Sequence, residues 1–108
     1  MFPEPHSALS AARIIEDVVG CKWSLAVLGC IRSGTTRPGA IRRALPGLST
    51  KVMNERLAKM LRFGLLERRS YAESRPRVEY SLTPVGMRLA AILDEIETLQ
   101  ADIDGKRK

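Results

Sequence analysis

Between Pro46 and Gly86 the apolar residues change their spacing once, from that of a helix to that of a strand, and the change falls at a glycine. Few folds accommodate that order. Met53, Leu57, Met60 and Leu61 recur at i, i+4, i+7 and i+8, which lines one side of a helix. Lys51, Glu55, Ala58, Lys59 and Arg62 fall on the opposite side, with Val52 and Asn54 on the flanks. Ser49 and Thr50 stand at the start, where a hydroxyl can accept from an unpaired backbone N–H. Gly64 stands at the end, where a left-handed residue stops a helix at little cost. Leu65 to Tyr71 and Arg77 to Leu82 then read as two antiparallel strands. In the second, Val78, Tyr80 and Leu82 alternate with Glu79 and Ser81, so one face is buried. Ala72 to Pro76 is the turn between them. Pro76 stiffens it, and Arg75 and Arg77 are its basic members.

The flanks are helical. Ser10 to Val19 carries the apolar stripe Ile14, Ile15, Val18 and Val19, with Ser10 as cap and Gly20 as stop. Lys22 to Arg32 is apolar nearly all round, with Trp23, Ala26, Val27, Cys30 and Ile31 on one face and Leu25, Leu28 and Gly29 on the other. Such a helix is expected to be the buried pillar of the fold, anchored by Trp23. Pro38 opens a short helix to Ala44, in which Ile41 faces in, with Leu45 just beyond it, and Arg42 and Arg43 face out. Leu48 plugs the turn that follows. Thr83-Pro84 caps a last helix running to about Ile103. Its stripe is Val85, Leu89, Ile92, Leu93, Ile96, Leu99 and Ile103, with Asp94, Glu95, Glu97 and Asp102 outside. That helix is about 30 Å long, more than one small core can cover. It is either a final core helix or, with the first helix, a two-fold dimer seam.

One domain of 108 residues follows, mainly α with a small antiparallel β-hairpin. Residues 1–9 form an irregular arm, and 38–63 form a helix-turn-helix. The hairpin over 65–82 is a wing, and the helices 10–19 and 84–103 serve dimerisation. This is the outline of a winged helix-turn-helix, in which one helix enters the major groove and the hairpin tip lies along the neighbouring backbone.

Charge placement fits a polyanionic partner. The net charge is +6, but Arg32 to Arg77 holds twelve basic and three acidic residues, or +9, while the rest holds six basic and nine acidic, or −3. A basic block between acidic flanks is expected if one part touches phosphate. Cys21 and Cys30 lie nine apart, which is neither a CxxC pair nor a zinc spacing. No apolar run reaches a membrane span. The first residues lack a secretory pattern, so the expectation is a cytoplasmic protein without cofactor or metal. The single histidine, His6, lies in the arm, and no nucleophile–base pair or phosphate loop accompanies it. An enzyme is not indicated.

The candidate partner is double-stranded DNA, read by a homodimer at a palindromic operator. Ser49, Thr50 and Lys51 lie where backbone N–H groups and hydroxyls suit phosphates or base edges. Asn54 can bond adenine twice, and Lys51 or Lys59 can reach guanine O6/N7 or a phosphate. Glu55 either accepts from cytosine or pairs with Lys51 or Lys59 at helix spacing. Arg56, nearer the core edge, is either a DNA contact or a structural ion-pair partner. Arg42, Arg43, Arg75 and Arg77 are candidates for phosphate or the minor groove. The competing function is a winged-helix module that binds protein and not DNA. Nothing in the residues indicates an effector.

A more specific pattern overlies these readings. Lys22-Trp23, Leu28, Arg37, Leu48-Ser49-x-Lys51, Arg56-Leu57, Gly64-Leu65, Tyr71 and Pro76-x-Val78-Glu79-Tyr80-x-Leu82-Thr83-x-x-Gly86 stand in order along the chain. With these residues the sequence resembles the HxlR-type transcriptional regulators of bacteria, a branch of the MarR-like winged helix proteins, over about residues 9 to 100. The resemblance implies a compact homodimer joined through its terminal helices that represses or activates nearby promoters. It places the recognition helix at Ser49 to Arg62 and the wing at Tyr71 to Arg77. The sequence departs from the family in three places. Leu9 stands where redox-sensing members carry a cysteine, so that sensing role does not transfer. Cys21 stands where the family usually has glycine or a basic residue, and Pro38 where it usually has an aromatic.

Overall fold

A computed structural model describes residues 10–72, 74–75 and 77–105. The arm over 1–9, the turn residues Glu73 and Pro76, and the tail over 106–108 lie outside the described residues. The order is α1 (Ala11–Val19), α2 (Lys22–Arg32), α3 (Pro38–Ala44), α4 (Thr50–Arg62), β1 (Leu66–Tyr71), β2 (Arg77–Leu82) and α5 (Pro84–Ile103). Among the described residues the sheet is one antiparallel pair, in register from Leu66 opposite Leu82 to Tyr71 opposite Arg77.

The helix starts follow the expected hydroxyl caps. Ser10 accepts from the Arg13 N–H, Ser49 from the Val52 N–H, and Thr83 from the Gly86 N–H. Gly64, at φ +77°, ends α4. The Gly64 N–H donates to the Leu61 carbonyl and the Leu65 N–H to the Met60 carbonyl, each at 3.0 Å. This double closure is the Schellman arrangement, which only a residue tolerant of positive φ makes cheaply. Leu65 therefore completes the end of the helix, and the strand begins one residue later than its apolar character suggests.

The core gathers Ile14 and Val18 of α1, Val27, Leu28 and Ile31 of α2, Ile41 of α3, Met53, Leu57 and Met60 of α4, and Leu65, Leu66, Tyr80, Leu89 and Leu93. Leu48 is buried in the turn between α3 and α4, as its apolar side chain among turn residues requires. The expectation for α2 needs correction. Its buried face is Ser24, Val27, Leu28 and Ile31, while Leu25 and Gly29 are exposed. Trp23 and Cys30 are half-buried at the edge of the core and do not form its centre. An all-round apolar helix reads as buried only when neighbours surround it. Here the head is too small to supply them.

The first turns of α5 are fastened where α4 passes into β1. The Thr83 N–H donates to the Leu65 carbonyl at 3.0 Å, and the Thr83 hydroxyl donates to the Gly64 carbonyl at 2.6 Å. Further along, Arg32 at the end of α2 meets Asp94 in a two-pronged pair, Nη1 to Oδ1 at 2.6 Å and Nη2 to Oδ2. Arg32 holds the Asp94 carboxyl below its ordinary value, first through the hydrogen bond and then through its charge. Arg32→Ala is therefore expected to raise the Asp94 pKa toward that of an ordinary carboxylate, followed by side-chain NMR titration. An unmoved titration would mean the pair does not form in solution.

Leu89, Ala90 and Leu93 are the buried residues of α5 beyond its first turn. Ile92, Ile96, Leu99 and Ile103, which share its apolar stripe, are exposed, Leu99 at 57% and Ile103 at 67%. The stripe thus has two parts: one covered by the core of its own chain, the other uncovered in a single chain.

Candidate nucleic-acid interface

Helices α3 and α4 carry the site because their buried faces leave a defined outer face. With Met53, Leu57 and Met60 turned into the core, helical geometry puts Lys51, Glu55, Ala58 and Arg62 outside and Asn54 on the flank; all five are exposed, as is Thr50 at the first position of the helix. Lys51 and Asn54 make no side-chain hydrogen bond or ion pair among the described residues, so their polar ends are available. Ser49 is exposed too, but its Oγ accepts the Val52 N–H at 3.1 Å. It can still donate its hydroxyl hydrogen outward. Arg42 and Arg43, exposed in the last turn of α3, stand at the negative end of that helix dipole.

Two residues on the same helix are placed otherwise. Lys59 does not extend from the outer face. Its Nζ lies 3.1 Å from Asp17 Oδ1, pairing α4 with α1, and its side chain is two-thirds covered. The helical wheel put Lys59 on the wet side, and the structure corrects this to the seam with α1, because an acid one helix away captures a long side chain on the flank. Glu55 approaches neither Lys51 nor Lys59. Its nearest ionic partner is Arg56, at 3.9 Å. Arg56 turns inward, with Nη1 3.5 Å from Cys21 Sγ. Burial pushes the Cys21 thiol up, but hydrogen bonds with Ser24 and the Trp23 backbone and the Arg56 charge outweigh it, leaving it below the ordinary thiol value. Burial alone acts on Cys30 and raises it.

The wing adds a second basic surface. Arg75 is exposed at its tip, and Arg68 and Arg69 are exposed on β1. Arg77 is engaged at the root of the wing. Its guanidinium lies 4.3 Å from the centroid of the Tyr71 ring, and its Nε lies 3.4 Å from Glu79 Oε2. Pairing charge with ring face across the last register position explains why it is half-buried. Sequence reasoning passed over the acid on the same face: Glu79 also lies 3.8 Å from Arg37 Nε. The signal was present in Glu79 standing two residues after Arg77, on the same side of a strand.

Among the described residues no group of three or more His, Cys, Asp or Glu could hold a metal ion. Among them, too, no helix is long and apolar enough to cross a membrane.

An outward helix presenting small polar and basic residues, set behind a buried turn and beside a two-stranded basic hairpin, defines a winged helix-turn-helix. Residues 18–106 match the model of the HxlR-like helix-turn-helix family. The chain belongs to that family, whose members are transcriptional regulators that bind DNA and not enzymes. It is 39% identical to the uncharacterised HTH-type transcriptional regulator sll1512 of Synechocystis sp., over 91% of this chain and 83% of the relative. It is 37% identical to the uncharacterised HTH-type transcriptional regulator YtfH of Escherichia coli K12, over 73% of this chain and 66% of that one. Among solved structures, a transcriptional regulator of the MarR family from Enterococcus faecalis V583 superposes with a TM-score of 0.80 at 30% identity. That match covers 96% of this chain and 94% of the other.

Proposed function

We propose that the chain is a sequence-specific regulator that binds as a homodimer to a palindromic operator in the cytoplasm, with α4 of each protomer in the major groove and each wing on the flanking backbone. The observation that carries this is the outer face of α4. Lys51 and Asn54 point out side by side on a helix whose other side is core, and exposed arginines stand on both neighbouring elements. Donors on a rigid helix suit base edges, and the surrounding arginines suit phosphates. Thr50 and Glu55 flank the reading pair, and Ser49 stands at the helix start. Arg42, Arg43 and Arg75 contact the backbone. Lys59 and Arg77 support the surface from behind, through Asp17 and through Tyr71 and Glu79. The uncovered stripe Ile92, Ile96, Leu99 and Ile103 joins the two protomers, together with α1.

Lys51→Ala and Asn54→Ala are each expected to lower discrimination between operator and random duplex by about 1–3 kcal/mol per lost base contact. Competition binding measures this, and an unchanged operator preference in the Asn54 variant removes Asn54 from the reading set. Arg75→Ala should weaken all duplexes alike and reduce the slope of log affinity against log salt by about one. If the unaltered chain shows no salt-steep affinity for any duplex, the protein-binding reading of the fold replaces this one.

A further inference from the structure

A reading helix and a wing discriminate sequence only if they meet the duplex in a fixed relation, since a backbone contact sets the register in which bases are read. In this chain one tie between them joins β2 to the segment that enters α3. The Tyr80 N–H of β2 donates to the Thr36 carbonyl at 2.9 Å, joining the hairpin to the segment that enters α3. One residue to either side, Glu79 and Arg37 face each other, Glu79 Oε2 to Arg37 Nε at 3.8 Å. The same oxygen lies 3.4 Å from Arg77 Nε, and the Arg77 guanidinium is stacked on Tyr71 at the root of the wing. One carboxylate is thus shared between the entry to the helix-turn-helix and the base of the hairpin.

Both pairs are long and partly exposed, with Arg37 at 52% and Glu79 at 30%, so they add little to stability. A negative charge set between two members of the basic block also opposes the approach of phosphate. Stability and electrostatic attraction alike therefore fail to account for an acid at this point. We infer that Glu79 is a positioning residue for sequence discrimination: by holding Arg37 and Arg77 together it fixes the wing relative to the reading helices. The inference rests on the DNA-binding reading above.

The test uses the full chain and two duplexes, one enriched by the unaltered protein from a random pool and one of random sequence. Glu79→Gln keeps the shape and removes the charge. Affinity for the random duplex should hold or rise, affinity for the enriched duplex should fall, and their ratio should fall about tenfold, the size of one lost base contact. The thermal midpoint should stay within a few degrees of the unaltered protein. Arg37→Gln should lower the ratio similarly, and the double variant should lower it no further than either alone. If both affinities rise together and the ratio holds, Glu79 is merely an unfavourable charge and the inference is overturned. A ratio that falls only in step with the thermal midpoint overturns it too. Should Glu79→Gln not fold, Arg37→Gln decides alone, because its side chain is half exposed. An unaltered protein that enriches no sequence overturns the DNA-binding reading, and this inference with it. Enrichment with an unchanged ratio in the variants overturns the inference alone.

Discussion

Gly86→Ala is expected to cost more than about 3 kcal/mol of stability, because the added methyl has nowhere to go. On an exposed helix the same change would gain about 1 kcal/mol. Here a Cβ would stand 2.1 Å from the Leu65 carbonyl oxygen, 3.1 Å from its carbon and 3.2 Å from Leu82 Cδ2. The obstacle at closest approach is backbone, which no side-chain rotation relieves. That oxygen is also the acceptor of the Thr83 N–H at 3.0 Å, and the Thr83 hydroxyl is tied to Gly64. Moving α5 away to make room would strain the stop of α4 and the cap of α5 together. The steric term thus exceeds the helix-propensity gain. The thermal midpoint should fall by roughly 10–20 °C for a domain of this size. A variant as stable as the parent would show that α5 does not pass the Leu65 carbonyl this closely.

The second large effect is expected at Leu99. In a single chain Leu99 is 57% exposed and Ile96 37%, so Leu99→Glu should leave the fold of each chain intact and lower its melting only by the stabilisation that the dimer supplies. In the proposed homodimer the same side chain lies in the seam, where an unpaired carboxylate costs several kcal/mol. The variant should sediment as a monomer at concentrations where the parent is a dimer. Its operator affinity should fall by at least about 100-fold, because one head then binds without the effective concentration that the second supplies. A Leu99→Glu protein that remains dimeric places the seam elsewhere. A parent protein that is itself monomeric removes the seam altogether.

The local design of the fold is legible in the residues because each element carries its own punctuation. Ser10, Ser49 and Thr83 cap, Pro38 and Pro84 open helices, and Gly64 closes one, all within a few residues of the backbone they serve. The period-two pattern of Val78, Tyr80 and Leu82 likewise identifies the second strand and its inner face. What the residues do not announce is the tertiary partner. Lys59 sits on the wet side of a helical wheel, yet Asp17, forty-two residues earlier, takes it. Arg77 reads as a wing-tip cation, yet Tyr71 and Glu79 hold it at the root. Gly86 looks like one residue in a family pattern until the Leu65 carbonyl is found where its Cβ would stand. In α2 composition misleads: a helix rich in apolar residues on every side still leaves Leu25 and Gly29 exposed, because burial depends on how many neighbours a small head can provide. The outer face of α4 lies between these cases. Lys51 follows from the wheel, Asn54 stands on its flank and is exposed while Val52 on the other flank is half-buried, and Lys59 leaves the wet side through one long-range ion pair.

In the proposed complex two copies of α4, joined through their end helices, read one duplex. A methylation-protection footprint of the protein on the duplex it enriches tests this most directly, since guanine N7 lies in the major groove. The predicted result is two protected blocks in inverted repeat with centres about 10 base pairs apart, or a multiple of that, both lost together when Lys51 and Asn54 are replaced by alanine at once. A single protected block, or protection that survives with α4 altered, would contradict it.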